Sequence, residues 1–148
     1  MDELKVSAKI ALANTFLMYF KAHSYHWNVE GMNFPQMHEF FGDLYEELFE
    51  AVDPFAEQIR AIDEYAPRNL DAIYRNKTID AQNVGSDCKT MTADLLVANT
   101  ETINSLNKLF DELTAQKKQG FADFVAARID AHNKHGWMLK SILKGTGE

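Results

Sequence analysis

An all-α, four-helix bundle with one long crossover is the fold class that this sequence predicts. Three observations lead there. Seven glycines and three prolines in 148 residues leave long uninterrupted stretches. Apolar residues in those stretches recur at spacings of three and four, and no segment alternates with the period of two that a strand needs. The length suits one domain, residues 1–148, because a chain of ~150 residues buries about 70% of its unfolded surface. With 46% hydrophobic and 25% charged residues the balance is that of a globular protein and not of a disordered one.

The first helix is predicted from Leu4 to about Tyr25, with Ile10, Ala13, Leu17 and Phe20 as its apolar stripe and Leu12 and Phe16 widening it. Gly31, Asn33 and Pro35 break the pattern, and Pro35 suits the first turn of a second helix. That helix runs to about Asp63 through Met37, Phe40, Phe41, Leu44, Leu48, Ala51, Phe55 and Ile62. Pro54 lies inside it and predicts a kink without a break, because the apolar spacing continues beyond. Glu64 to Asp87 carry the loop signals Pro67, Asn69, Asn76, Asn83 and Gly85, with a short helix over Leu70–Tyr74. A third helix fits Cys88 to about Lys117, with Gly120 expected to end it as a left-handed cap. A fourth fits Phe121 to Leu143. Four long helices with the long connection between the second and third describe ferritin-like connectivity, not an up-down-up-down bundle.

Composition excludes several function classes. No apolar run reaches the ~18 residues of a membrane span, and the opening MDELKVSAK lacks a signal-peptide core, so a cytoplasmic location is expected. Cys88 is the one cysteine, which rules out an internal disulfide, a four-cysteine zinc site and a thiol redox pair; it is expected as a buried small residue. Fifteen Lys and Arg against 22 Asp and Glu give a net charge of −7, a poor basis for gripping phosphates.

The densest chemistry runs from His23 to Glu57. His23 and His26 lie near the end of the first helix, with Trp27 following; His38 opens the second, and Asp53 and Glu57 lie further along it. At 100° per residue, Asp53 falls about 60° and Glu57 about 100° around the helix from His38, so the three share a face. Imidazole with carboxylate suits iron, manganese or zinc. Yet 15 residues of helix separate His38 from Asp53, about 22 Å, too far for one ion in one chain. Two copies of the helix running antiparallel across a twofold axis would bring His38 of one near Asp53 of the other. Taken alone, Asp-x-x-x-Glu is ordinarily a solvated helix face, and paired histidines are ordinarily caps or packing. No Glu-x-x-His occurs, which disfavours a di-iron site inside a single bundle.

The stretch KAHSYHWNVEGMNFPQMHEFFGDLYEELFEAVDPFAEQIRAID resembles the signature of the Dps family, ferritin-like proteins named for DNA protection during starvation. The matching residues are His26, Trp27, Asn28, Val29, Gly31, Phe34, His38, Asp53 and Glu57; Tyr65-Ala66-Pro67 and the run from His132 to Leu139 are similar too. The resemblance implies a closed dodecamer holding ferric mineral, with Fe(II) oxidised by peroxide or oxygen at sites between twofold-related chains. It assigns His26 and His38 to one chain and Asp53 and Glu57 to its partner. Glu57 would bridge two irons, with His26 and Asp53 completing the tighter position and His38 facing the second. Trp27 and His23 would lie near the metals, and Asp123 and Asp130 on the last helix are candidates for lining an entry pore.

One position departs from the family. Where it usually carries an aspartate four residues after the second histidine, this chain has Gly42. The second iron is expected to bind more weakly, and Gly42→Asp to raise its occupancy. Asp43 and Glu46 are candidate replacements, although Asp43 points about 140° from His38. Direct DNA binding is not expected, since a lysine-rich tail is missing and twelve charges of −7 repel a duplex. The reading is an iron-oxidising, iron-storing shell; the alternative is a Dps-like shell with an impaired oxidation site, serving as a passive metal store, a structural particle or a DNA-associated protein.

Overall fold

The computed structural model describes residues 2–145. Five helices follow in order: α1 (Glu3–Asn28), α2 (Phe34–Ala61), α3 (Leu70–Asn76), α4 (Cys88–Ala115) and α5 (Gln119–Gly145). Four of them form the bundle, with α1 against α2, α4 against α5 and α1 against α4, while the short α3 lies on α1. Among the described residues no helix is long and apolar enough to cross a membrane.

Local chemistry sets the helix ends. The Asp2 side chain caps α1 by accepting from the Leu4 N–H at 2.9 Å. Pro35 sits in the first turn of α2, and that helix passes through Pro54 unbroken. Both α2 and α4 stop on the same hydrogen-bonded turn. After α2, Asp63 takes a left-handed φ of 67°, and the Asp63 and Glu64 N–H groups donate back to Arg60 and Ile59. After α4, Lys117 does so at φ 60°, with Lys117 and Lys118 donating to Thr114 and Leu113. The left-handed residue is therefore Lys117, not the expected Gly120, which lies in the first turn of α5. Glycine relieves the left-handed strain but does not create the turn, and the buried apolar spacing of α4 ends at Leu113, seven residues before Gly120.

The core has two sections along the bundle axis. One gathers Met18, Ala22, Tyr25, Phe41, Leu48, Leu95 and Leu139; the other gathers Leu4, Ala8, Phe55, Ile59, Leu106, Leu113, Phe121 and Val125. Phe20, expected in the stripe of α1, is 48% exposed because it faces outward beside α3. Cys88 is only half-buried, since it opens α4 at the end of the crossover.

Buried polar groups hold the elements in register. Asn14 on α1 receives the Thr78 N–H at 2.8 Å and donates to the Thr78 and Ser105 hydroxyls, which pins the crossover across α1 and α4. Glu30 N–H donates to the Ser86 carbonyl at 2.9 Å, tying the far end of the crossover to the α1–α2 turn. Lys21 and Tyr25 both donate to Asp94 Oδ2, joining α1 to α4. On the opposite side Arg128 meets Glu47 in a two-bond fork at 2.5 and 3.0 Å, and His135 Nε2–H donates to the same carboxylate at 2.7 Å. His132 Nδ1–H donates to Asn99 Oδ1 at 2.8 Å, and Asn99 donates back to the His132 carbonyl.

These buried groups make stability depend on pH in a defined direction. Burial holds the His132 imidazole well below its ordinary value of 6.5, with Arg128 and His135 adding to the effect and Glu47 opposing it. Below about pH 6.5 the unfolded chain takes up a proton that folded His132 refuses, so stability falls as pH falls. For Glu47, burial would raise the pKa, but the bonds from His135 and Arg128 and their charge hold it far below its ordinary 4.5. Its contribution is present above about pH 4.5 and is lost as the pH drops further.

Urea unfolding should therefore weaken from pH 7 to pH 5.5, with a slope approaching about 1.4 kcal/mol per pH unit for one proton. His132→Gln, which cannot titrate, should flatten that slope; an unchanged slope would show that the proton goes elsewhere. Lys117→Gly should raise the unfolding free energy read from urea titration by roughly 0.5–1 kcal/mol, the relieved left-handed strain less the added freedom of the unfolded chain.

Candidate metal centre

The end of α1 and the start of α2 meet across a tight turn that uses Gly31 at φ 124°. This turn brings His26 and His38 face to face, their rings stacked at 3.8 Å and tilted by 17°. Each ring also holds the other's backbone. His26 Nδ1–H donates to the His38 carbonyl at 2.6 Å, and His38 Nδ1–H donates to the His26 carbonyl at 2.7 Å. A neutral imidazole that donates from Nδ1 keeps its lone pair on Nε2, the form that ligates a divalent metal. The pair is thus oriented and held in a ligating tautomer by hydrogen bonds that a sequence does not show.

Gly42 stands one turn beyond His38. A Cβ built there would lie 3.0 Å from His26 Nδ1 and 3.1 Å from its Cε1. A side chain at 42 would therefore press on the His26 ring, which would have to give by a few tenths of an ångström. Asp43 is exposed and lines a groove with Glu47, Lys134 and His135, so it faces α5 and not the histidine pair. Glu46 is exposed on the outer side of α2.

His23 belongs to an aromatic cluster beside the pair. Its ring stacks on Tyr45 at 3.8 Å and 7° and lies 4.1 Å from Trp27, while its Nδ1 and the Tyr19 hydroxyl are hydrogen-bonded at 3.0 Å. Burial and the nearby His26 lower the His23 pKa. Trp27 is 56% exposed. Sequence reasoning missed Tyr45, whose ring centre lies 5.4 Å from His26. The signal was available: Tyr45 is seven residues after His38, two helical turns along the same face.

The carboxylates lie elsewhere. Asp53 and Glu57 are exposed on α2, and because the helix is continuous from Phe34 to Ala61, about 22 Å of it separates His38 from Asp53. Among the described residues no three His, Cys, Asp or Glu side chains come together to hold a metal ion. The imidazole pair is therefore made by the end of α1 and the start of α2, while both carboxylates lie towards the far end of α2. Asp123 and Asp130 are both exposed on α5, far along the chain from either set.

A bundle with its long connection between α2 and α4, a short helix inside that connection and divided donors defines a ferritin-like protein. The family model described as a ferritin-like domain matches residues 9–146, and the chain belongs to that family. Within it the chain is a member of the Dps branch. It is 30% identical over 135 residues to the DNA protection during starvation protein of Listeria innocua, covering 89% of this chain and 86% of that one. It is 29% identical over 133 residues to the protein of that name from Brevibacillus brevis, covering 90% and 89%. The crystal structure of a Dps protein from Bacillus brevis superposes with a TM-score of 0.89 at 28% identity, covering 95% of this chain and 94% of that one.

Proposed function

We propose that this chain is one subunit of a closed dodecamer that takes Fe(II) as substrate, oxidises it with hydrogen peroxide or oxygen, and stores the ferric product as mineral. The observation that carries the reading is the His26–His38 pair, held by reciprocal hydrogen bonds in the tautomer that leaves both Nε2 lone pairs for a metal. Metal chemistry gives that arrangement a purpose, and the Dps branch supplies the context for iron. Each ion needs more donors than two imidazoles, and the carboxylates of the same chain are out of reach. A partner related by a twofold axis would bring its copies of Asp53 and Glu57 to this histidine pair, and the reverse.

Self-association has a surface to use. Phe16, Leu17, Phe20, Leu70, Ile73 and Tyr74 form an apolar groove between α1 and α3, with Phe20, Leu70 and Tyr74 48%, 70% and 60% exposed. Trp27 and Phe49 add exposed aromatic area on the same two helices that carry the donors. Exposed apolar side chains gathered in one groove are a surface that a second copy could cover.

The chemistry follows from pairing the irons. Hydrogen peroxide takes two electrons on its way to water, and each Fe(II) gives one, so two irons at one site can reduce it without releasing a hydroxyl radical. Glu57 bridges the two ions; His26 and Asp53 complete the first position, and His38 the second. Gly42 leaves that second position short of a carboxylate, so its affinity is lower. Asp123 and Asp130 line the entry route for the cation. The cytoplasm is the compartment in which such a store would meet Fe(II).

Gly42 also favours a second reading, a shell that stores metal but oxidises it poorly. Anaerobic Fe(II) with stoichiometric peroxide separates the two. Oxidation much faster than in Glu57→Ala supports the ferroxidase, and equal rates establish the passive store.

Glu57→Ala should weaken anaerobic Fe(II) binding tenfold or more, because the bridging group contributes to two ions, whereas His23→Ala should change it little. The opposite pattern would put the site at the wrong residues. Sedimentation at micromolar concentration should show a dodecamer; monomers alone would remove both the shell and the shared site.

A further inference from the structure

We propose that Gly42 is a positioning residue for His26: the absent side chain makes the seat in which the imidazole ligates. The inference rests in part on the reading of His26 as an iron ligand, and it changes what position 42 means. Judged by sequence, Gly42 is simply a lost carboxylate. Judged by geometry, the carboxylate's volume has been exchanged for a closer histidine.

The argument starts from the α2 backbone. In an α-helix the carbonyl of residue 38 lies beneath residue 42, one turn on. That carbonyl is the acceptor for His26 Nδ1–H, at 2.6 Å. To reach it, the ring must lie flat over residue 42, and the Cβ position there is 3.0 Å from Nδ1 and 3.1 Å from Cε1. Both distances are tighter than ordinary van der Waals contact, so a methyl group would push the ring away from the helix by a few tenths of an ångström.

The ring cannot shift freely. Its opposite face stacks on His38, and its own carbonyl receives the His38 Nδ1–H. Lifting it lengthens one bond of a reciprocal pair and tilts both imidazoles. The backbone at Gly42 is ordinary helix, so conformational freedom does not explain the glycine. A glycine inside a helix weakens it, which leaves the space above it as the reason for its presence. Gly136, the other buried helical glycine, is a parallel case: a Cβ there would meet the Asn99 side chain that holds His132.

Two substitutions test this in the assembled protein. Gly42→Ala adds bulk without a donor, and Gly42→Asp adds bulk with one. Gly120→Ala is the control, because that helical glycine has nothing within 4 Å of its Cβ position. Crystal structures of the variants should show the His26 Nδ1–His38 carbonyl contact lengthened by both changes at 42 and kept in the control. Anaerobic titration with Co(II) alone, read by its visible absorption, should show about tenfold weaker binding in Gly42→Ala and wild-type binding in Gly120→Ala. Gly42→Asp should bind with an altered spectrum, the new carboxylate replacing His26 instead of joining it.

Retention of the 2.6 Å contact in Gly42→Ala, or Co(II) binding equal to wild type, would overturn the proposal. So would a Gly42→Asp crystal structure with His26 in place and the carboxylate beside it. A His26→Ala variant that binds Co(II) normally would instead strike the ligand assignment itself, and the crystal structures would still decide what Gly42 does.

Discussion

The rise of 1.5 Å per residue along an α-helix, applied to α2, is the constraint on which the rest of this molecule depends. The helix stays continuous from Phe34 to Ala61 despite Pro54, because its apolar face is buried on both sides of the proline, at Leu48 and Ala51 before it and at Phe55 and Ile59 after it. An unbroken rod keeps Asp53 about 22 Å and Glu57 about 28 Å from His38. Under the proposed function a second copy supplies the donors that this distance separates, so assembly would be a chemical requirement as well as a way to cover apolar surface.

The packing around α2 serves the same end. On one side it is held to α5 by Glu47, whose carboxylate takes two bonds from Arg128 and one from His135. On the other it is held to α1 by the crossed bonds of His26 and His38. Arg128 and His135 are buried while Glu47 is partly exposed, and losing Glu47 would leave a buried guanidinium without its partner, so the fork resists shearing of α2 along α5. The two attachments leave little freedom for the helix to slide, and sliding by one turn would move every donor about 5.4 Å. The crossover has its own anchors at Asn14 and Ser86, which set α3 against α1 and create the apolar groove there.

The aromatic cluster next to the histidine pair shows how one residue type divides into separate roles. His26 and His38 give their Nδ1 protons to backbone carbonyls, while His23 stacks flat on Tyr45 and pairs with the Tyr19 hydroxyl. His132 and His135 lie inside the bundle and bind Asn99 and Glu47. Five histidines thus split into a pair with free Nε2 lone pairs, one aromatic packing residue and two that lock helices together. Nothing in their spacing separates His23–His26 from His132–His135, both three residues apart. Their partners decide.

What the sequence determined by itself was the architecture. Periodicity placed four long helices and the short one near their observed bounds, because burial of an apolar stripe is a local pattern that any chain of this kind must carry. Helix arithmetic separated the imidazoles from the carboxylates, because rise per residue needs no tertiary information. The sequence misjudged Gly120, since a helix ends where its burial ends and Lys117 could bear the left-handed turn. It also overestimated the burial of Phe20, since periodicity cannot tell a core face from a face left for a partner. Only the tertiary structure decided the tautomers of His26 and His38, the direction of Asp43 towards α5, and the meaning of Gly42. Each of these depends on which atoms of two distant segments come within about 3 Å, a quantity set by packing and not by spacing along the chain.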